Sequence, residues 1–335
     1  MHRAYLVRAH GPPSSHAVES IPTPAPEGNE VLVSVKAAGV NFPDSLIIRG
    51  KYQFQPQFPY SPGGEFSGVV DAVGPDVSAF ASGDRVVGMS IHGSYSEKLI
   101  TDESKLASLP QSMDFATGAV VQLAHGTMLY ALKDVAKLER GETLLVLGAG
   151  GGVGLASVEL GKLMGARVVA VASSTEKLNA AKALGADVCL DYSKCSDGKA
   201  LKALLKEAAG SGFDVAVDPV GDFYSEPAIR SMGWGGRYLV IGFAAGSIPK
   251  VPLNLPLLKN CSLMGVFWGA WAAKEPEANL ANFELLAQWH NEGKLRPLIS
   301  ERFSLDDAAK AIETLDSRRA KGKLIVVPGP PDAKL

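Results

Sequence analysis

The run Thr143-Leu-Leu-Val-Leu-Gly-Ala-Gly-Gly-Gly-Val-Gly154 constrains this chain more than any other segment. An apolar stretch enters a glycine cluster and leaves it as Leu155-Ala-Ser-Val-Glu-Leu160. That order spells strand, tight turn, helix. Such a turn lets the backbone approach an anion closely, and the helix behind it offers unpaired N–H groups and a positive dipole end. Glycines also collect in ordinary loops for their turn geometry. Here both flanks carry the right pattern, so the turn is predicted to cradle the pyrophosphate of a dinucleotide.

With 335 residues the chain is too long for one ordinary core, which predicts two domains. Hydrophobic residues at 46% and charged residues at 20% are ordinary for a soluble globular enzyme. A formal net charge of −2 leaves no basic excess to grip a phosphate backbone, so nucleic acid is not indicated as a partner. The opening Met1-His-Arg-Ala-Tyr-Leu-Val-Arg-Ala-His10 lacks the apolar run of a signal peptide. No apolar stretch is long enough to span a bilayer, so no membrane partner is expected. Cys189, Cys195 and Cys261 give no even disulfide framework and no close metal-type pair. A reducing, cytoplasmic setting is expected.

The first part reads as β-rich: Val31–Lys36, Glu65–Gly74 and Asp84–Gly88 have strand composition with Gly and Pro between them. Pro22, Pro24 and Pro26 stiffen an extended entry segment, and Pro328–Pro331 is a Pro/Gly tail. From about Gly118 helices and strands alternate. Val120–Leu138 reads as a helix with Gly126 its weak point. Arg167–Ala172 is the continuous apolar run of a parallel strand buried on both faces. Glu176–Leu184 reads as a helix capped by Gly185. Asp187–Leu190, Asp214–Asp218 and Arg237–Ile241 are further strands. The alternation predicts an α/β fold with a doubly wound parallel sheet and right-handed crossovers. Glu275–Asn291 reads as an amphipathic helix, Ser304–Asp307 as a helix start and Lys323–Val327 as a closing strand. The predicted division is a β-rich domain over 1–123, a dinucleotide domain over 124–265, and a return to the first domain over 266–335.

An NAD-preferring site places a carboxylate about 20 residues beyond the glycine motif, on the ribose hydroxyls. After Arg167–Ala172 this chain has Ser173-Ser-Thr-Glu-Lys177, with no acid at the strand end. Two hydroxyls and a lysine suit a 2′-phosphate, which wants donors and positive charge, so NADPH is the predicted cofactor. Glu176 could instead serve a ribose, but it reads as a first-turn acid favoured by the helix dipole. Lys177 taken alone reads equally as a solvated helix lysine.

Together with Ala38-Gly-Val-Asn41, Asp44, Arg49-Gly-Lys-Tyr52, Pro62-Gly-Gly-Glu-Phe-Ser-Gly68, Gly83-Asp-Arg-Val86 and Gly322-Lys-Leu324, these residues resemble the medium-chain dehydrogenase/reductase superfamily. Within it the chain is similar to the zinc-free, zeta-crystallin-like quinone oxidoreductase branch over nearly its whole length. The resemblance implies a GroES-like β-rich catalytic domain plus a Rossmann domain, with the active site in the cleft between them. The zinc alcohol dehydrogenases of the superfamily carry a Cys near position 41, a His near 64 and a further ligand near 125. Here those places hold Asn41, Gly64 and the surroundings of His125, and the four-cysteine structural lobe is missing, so no metal site is expected. His125 reads as a helix histidine with a structural partner. The resemblance assigns Asn41 to the nicotinamide's side and Thr127 to a hydrogen bond at the nicotinamide end. It assigns Gly151, Gly152, Val153 and Gly154 to the pyrophosphate, and Ser173, Ser174 and Lys177 to the 2′-phosphate. Tyr192 falls beside the adenosine phosphate, or is simply a half-buried loop tyrosine. Phe243, Val266 and Trp268 line the nicotinamide, and Arg318 or Arg319 reaches the adenosine end. The family also implies a homodimer, paired through Arg237–Ile241 and Cys261–Val266 at the sheet edge.

Without a Lewis acid for an alkoxide, simple alcohol oxidation is disfavoured. Acceptors whose product anion is delocalised remain open to NADPH, given positioning, a dry cleft and a donor at the developing oxyanion. Asn41 and Tyr52 are the candidate donors, while Asp44 orients neighbours. The Gly-Lys-Tyr setting of Tyr52 resembles that of mitochondrial-type enoyl-thioester reductases, where the tyrosine is the proposed proton donor; a packed residue at the cleft rim is the other reading. Arg49 has a surface role by default. Three functions follow. NADPH:quinone reduction leads. Reduction of α,β-unsaturated carbonyls or enoyl thioesters is the alternative, and a low-turnover NADPH-binding structural protein is the third.

Overall fold

The computed structural model describes residues 1–329, so Pro330 and Pro331 of the tail lie outside the described residues. The chain forms two compact units, one from Met1–Leu123 with the segment from Ile299 onward, the other from Ala124–Leu298.

The first unit contains β1 (His2–Leu6), β2 (Ala17–Ile21), β3 (Glu30–Val40), α1 (Phe42–Ile48), β4 (Glu65–Val73), β5 (Arg85–Met89), β6 (Lys98–Asp102), β7 (Leu106–Ser108) and α2 (Phe115–Val121). β3 is its spine. This long strand pairs antiparallel with β4 on one side and receives β6 and the C-terminal strand on the other. Its inward residues Val31, Val33 and Val35 pack with Tyr5, Phe66, Val86 and Tyr95 in a core.

In the second unit the chain runs α3 (Leu123–Leu129), β8 (Thr143–Leu147), α4 (Gly152–Leu163), β9 (Arg167–Ala172), α5 (Thr175–Ala183), β10 (Val188–Asp191), α6 (Gly198–Ala209) and β11 (Phe213–Asp218). It continues with α7 (Ser225–Arg230), β12 (Met232–Val240), α8 (Asn254–Lys259), β13 (Ser262–Gly265), α9 (Trp268–Lys274) and α10 (Pro276–Asn291). The strands form a parallel sheet in the order β10-β9-β8-β11-β12-β13, the doubly wound arrangement the alternation predicts. Leu144, Leu145, Val169 and Val171 are fully buried, because helices cover both faces of such a sheet. The chain then returns to the first unit as β14 (Ile299–Ser304), α11 (Ala308–Asp316) and β15 (Lys323–Val327), with Ser304 accepting from the Asp307 N–H as the helix-start signal implies. β15 pairs antiparallel with β3.

Three expectations are corrected. The return to the first unit begins at Ile299, not at 266. Segment 266–298 stays with the second unit, where β13 extends the sheet and Asn282 on α10 donates to Asp134 at 2.9 Å. The helix expected over Val120–Leu138 is three pieces, α2, α3 and a wide π turn at Tyr130–Val135. Its break falls at Gln122, whereas Gly126 sits inside α3 because Trp268 packs there, leaving 3.3 Å for an added Cβ. Finally, Arg237–Ile241 is not an edge, since β12 is paired on both sides and the edge belongs to β13.

Candidate functional site

The second unit carries an anion cradle. Gly148 has φ of +61°, and a Cβ on Gly154 would stand 2.2 Å from the Gly148 carbonyl oxygen. The turn closes only because both residues are glycine. Gly151 is the N-cap of α4 and provides no side chain, so the N–H groups of Gly152, Val153 and Gly154 have no side-chain cap. A pyrophosphate fits this end, which offers bare donors and the positive pole of a twelve-residue helix. Ser174 caps α5 by accepting from the Lys177 N–H at 3.4 Å. The stem of Lys177 lies across the glycine turn, 2.5 Å from where a Cβ of Gly150 would stand. Lys177 is thus brought to the glycine turn, with Ser174 capping its helix.

The other sequence-predicted residues of this unit are distributed around the same sheet. Thr127 is buried on α3, and the Trp268 ring packs against its neighbour Gly126 while its Nε1–H donates to Asn279 at 3.1 Å. Residues 241–245 run beside 218–220 through four backbone hydrogen bonds, which places Phe243 against Gly221. The Val266 N–H donates to the Val240 carbonyl at 3.0 Å. Tyr192 follows β10 with its ring centroid 4.7 Å from that of Tyr224. His125 has the structural partner expected of it: Nε2 meets Glu159 Oε2 at 2.9 Å, and Glu159 also accepts from the Arg296 N–H at 2.5 Å.

The first unit brings Asn41, Asp44 and Tyr52 to one end of β3, and adds three residues the sequence reading missed. Asn41 ends β3 and caps α1; its N–H donates to Asp44 Oδ2 at 2.8 Å. Tyr95, fully buried, donates to the same oxygen at 3.1 Å. Lys323, at the head of β15, donates to Asn41 Oδ1 at 2.5 Å and to Glu65 Oε2 at 3.0 Å. Asn41 Nδ2 donates to Glu65 Oε2 at 3.0 Å and to the Gly39 carbonyl at 3.3 Å. Glu65 Oε1 accepts from the Leu123 N–H at 2.8 Å. Lys323 and Glu65 are 5% and 0% exposed. The sequence did carry a signal for this pair: each is a charge at the head of a largely apolar strand.

This network corrects one role. Asn41 enters as a candidate oxyanion donor, but its amide group is already committed on both its donor and acceptor sides. Arg49 also departs from its default surface role. It pairs with Asp316 at 2.6 Å and bonds Ser45 Oγ at 2.6 Å, tying α1 to α11. Arg318 and Arg319 are both exposed beyond α11, and Arg319 Nε donates to Ser317 Oγ at 2.8 Å. Among the described residues no group of three or more His, Cys, Asp or Glu is placed to hold a metal ion.

Residues 27–126 match the family described as the alcohol dehydrogenase GroES-like domain, and 152–284 match the one described as zinc-binding dehydrogenase. The chain is 38% identical to quinone oxidoreductase-like protein 2 of Rattus norvegicus, covering 90% of this chain and 86% of that one. It is 31% identical to Rattus norvegicus quinone oxidoreductase, covering 97% of each. The chain belongs to the quinone oxidoreductase family of medium-chain dehydrogenases/reductases. The structure of Escherichia coli quinone oxidoreductase complexed with NADPH superposes with a TM-score of 0.89 at 26% identity, over 97% of this chain and 100% of that one.

In this quinone oxidoreductase relative, burial dominates the electrostatics around Asn41. Desolvation raises the Asp44 carboxyl from 3.8 to about 7, against the lowering effect of hydrogen bonds from the Asn41 N–H and Tyr95 hydroxyl and of the Lys323 charge. Glu65 adds to the rise. Tyr52 is held above its ordinary value by burial and then by Asp44, and Tyr95 is raised well above it by the same causes.

Asp44 therefore makes stability depend on pH. Between its unfolded value near 3.8 and its folded value of about 7, the native chain keeps a proton that the unfolded chain releases. That stabilisation is fully present below the unfolded value and is lost as pH rises through the folded one. Denaturant midpoints should fall from pH 5 to pH 8 in the wild type, and Asp44→Asn should flatten the slope; an unchanged slope in the variant would refute this assignment.

Proposed function

We propose that the chain is an NADPH-dependent reductase whose acceptor is a quinone. The observation that carries the cofactor choice is Lys177 laid across the glycine turn, with Ser173 and Ser174 where an NAD site would have a carboxylate. The relatives named quinone oxidoreductase support the acceptor class.

Bound NADPH supplies the hydride. Gly151, Gly152, Val153 and Gly154 hold the pyrophosphate, Ser173, Ser174 and Lys177 the 2′-phosphate, and Tyr192 the adenosine end. Thr127, Phe243, Val266 and Trp268 border the nicotinamide. Asn41 and Gly64 stand where zinc enzymes of the superfamily carry ligands, so reduction favours an acceptor that delocalises its own negative charge. Tyr52 keeps its proton, because burial and Asp44 both oppose ionisation, and it donates a hydrogen bond to the developing oxyanion. The same protonated Tyr52 keeps reduction of enones or enoyl thioesters as the second reading.

The working form is a homodimer. β13 is an edge strand, and α8 leading into it exposes Leu257 and Leu258 at 77% and 69%, with Phe267 beyond it at 63%. Such an apolar edge fits a second copy of the strand.

NADPH oxidation followed with 1,4-benzoquinone, 9,10-phenanthrenequinone, an enone and a crotonyl thioester should show turnover with the quinones. Turnover with the alkenes alone moves the reading to alkene reduction, and tight binding without turnover to a structural protein. Tyr52→Phe should lower quinone turnover on the order of tenfold, the scale of one lost oxyanion donor or somewhat less; full retention removes Tyr52 from the chemistry. Lys177→Ala should raise the Kd for NADPH far more than for NADH, and equal losses would overturn the 2′-phosphate assignment. Leu258→Asp should shift the light-scattering mass from dimer to monomer, and an unchanged dimer would move the interface elsewhere.

A further inference from the structure

Asp218, the last residue of β11, is a buried carboxylate in the second unit that the proposed function leaves without a role. Its hydrogen-bond partners are all neutral. Oδ1 accepts from the N–H groups of Val220 and Gly221, each at 2.8 Å. Oδ2 accepts from Ser225 Oγ at 2.6 Å and from the Tyr238 hydroxyl, both on buried residues. Burial first, and then the Asp218 charge, raises the Tyr238 phenol, so it stays a donor. A buried charge with no cation among its partners costs stability, and a negative one close to an anion cradle opposes the anion. What this carboxylate supplies is geometry. An Asp that bonds N–H groups two and three residues on closes a tight turn, here ending at Gly221 with φ of +72°. The turn carries Val220 to the glycine cradle: a Cβ on Gly148 would stand 2.7 Å from Val220 Cγ2 and 3.6 Å from Pro219 Cγ. On its other side the carbonyls of Asp218, Pro219 and Val220 accept from the N–H groups of Ile241, Ala244 and Ala245 at 3.0, 3.0 and 2.9 Å.

We infer that Asp218 is a positioning residue for dinucleotide binding: it sets the 218–221 turn so that Val220 backs the Gly148 turn of the cradle. This rests on the proposed NADPH-dependent function, in which that cradle holds the pyrophosphate. Asp218 acts only through Val220. Glycine has the widest choice of backbone conformations, so Gly148 needs a neighbour that holds it at φ of +61°. Without the carboxylate, two N–H groups and two hydroxyls lose a buried acceptor, the turn opens towards other partners, and Val220 leaves Gly148. The pyrophosphate is common to NADPH and NADH. Both cofactors should therefore weaken by the same factor, unlike the selective loss expected of Lys177→Ala.

The test measures Kd for NADPH and for NADH by titration of nicotinamide fluorescence, with the melting temperature of each variant alongside. Asp218→Leu removes both acceptor oxygens and should raise both Kd values on the order of tenfold. Asp218→Asn keeps an acceptor at Oδ1 and should stay within about threefold of the wild type. Ser225→Ala/Tyr238→Phe frees Oδ2 while leaving the bonds from Val220 and Gly221, and it keeps the experiment open if Asp218→Leu does not fold; it should raise both Kd values about fivefold. Val220→Ala should itself weaken both cofactors, and combining it with either of the weakening variants should cost little more, because the residues act in series. A residue that only stabilises the unit would lower the melting temperature and leave this cycle additive. Wild-type affinity in the folded weakening variants, additive losses in the cycle, or an Asp218→Asn protein as weak as Asp218→Leu overturns the inference. A wild type that binds neither cofactor refutes the functional reading instead, and this role with it.

Discussion

A lysine ammonium sealed inside the first unit with a carboxylate and an amide is the interaction on which that unit's site depends. Lys323 heads the last strand, Glu65 heads β4, and Asn41 ends β3, so the three charged and polar groups meet where three strands begin or end. β15 reaches this point only after the chain has completed the whole second unit. A contact between residues 41 and 323 forms late in chain order and carries a large loop-closure entropy. Removing one partner leaves an uncompensated buried charge, a change that typically costs about 3–5 kcal/mol. Neither residue can therefore drift independently of the other.

The same cluster shows how differently two buried acids are surrounded. Glu65 has an ammonium at 3.0 Å and two N–H donors, one on each oxygen. Asp44 has two neutral donors on a single oxygen and meets Lys323 only at longer range. Desolvation then outweighs what those donors give back, and the carboxyl rises to about 7. Its charge falls next to Tyr52 and Tyr95, so each phenol holds its proton more firmly than in water. A tyrosine kept protonated is a hydrogen-bond donor at any physiological pH.

The parallel sheet and the glycine turn were legible in the sequence because their constraints are local. Gly148 and Gly154 sit six residues apart and contact one another, and the strands on either side are apolar on both faces. Ser174 and Lys177 could be picked out as polar residues just after an apolar strand, but that Ser174 caps α5 by accepting from the Lys177 N–H comes from the structure. Asn41, Asp44 and Tyr52 could be picked out, but not what Asn41 does, since its amide is fixed by Glu65 and Lys323, 24 and 282 residues away. The split of 120–138 into three helical pieces is not carried by any periodicity within the segment. The domain boundary slipped because 266–298 is mostly helical and what ties it to the second unit is tertiary: Trp268 packs against Gly126, and Asn282 donates to Asp134.

Lys177 lying over Gly150 bears on the 2′-phosphate contact proposed for it. A helix lysine free in solvent gains little from a phosphate, because fixing a long flexible stem offsets much of the attraction. Here the stem already rests on the turn, in the gap left by a residue with no side chain. Part of that ordering cost falls on folding instead of on binding, which is the general logic of preorganisation. A side chain at position 150 would collide with the stem within 2.5 Å and displace the lysine without altering its charge. The glycine at 150 therefore serves the basic residue as much as the backbone turn, and a glycine-rich loop read only as a phosphate cradle misses half of its geometry.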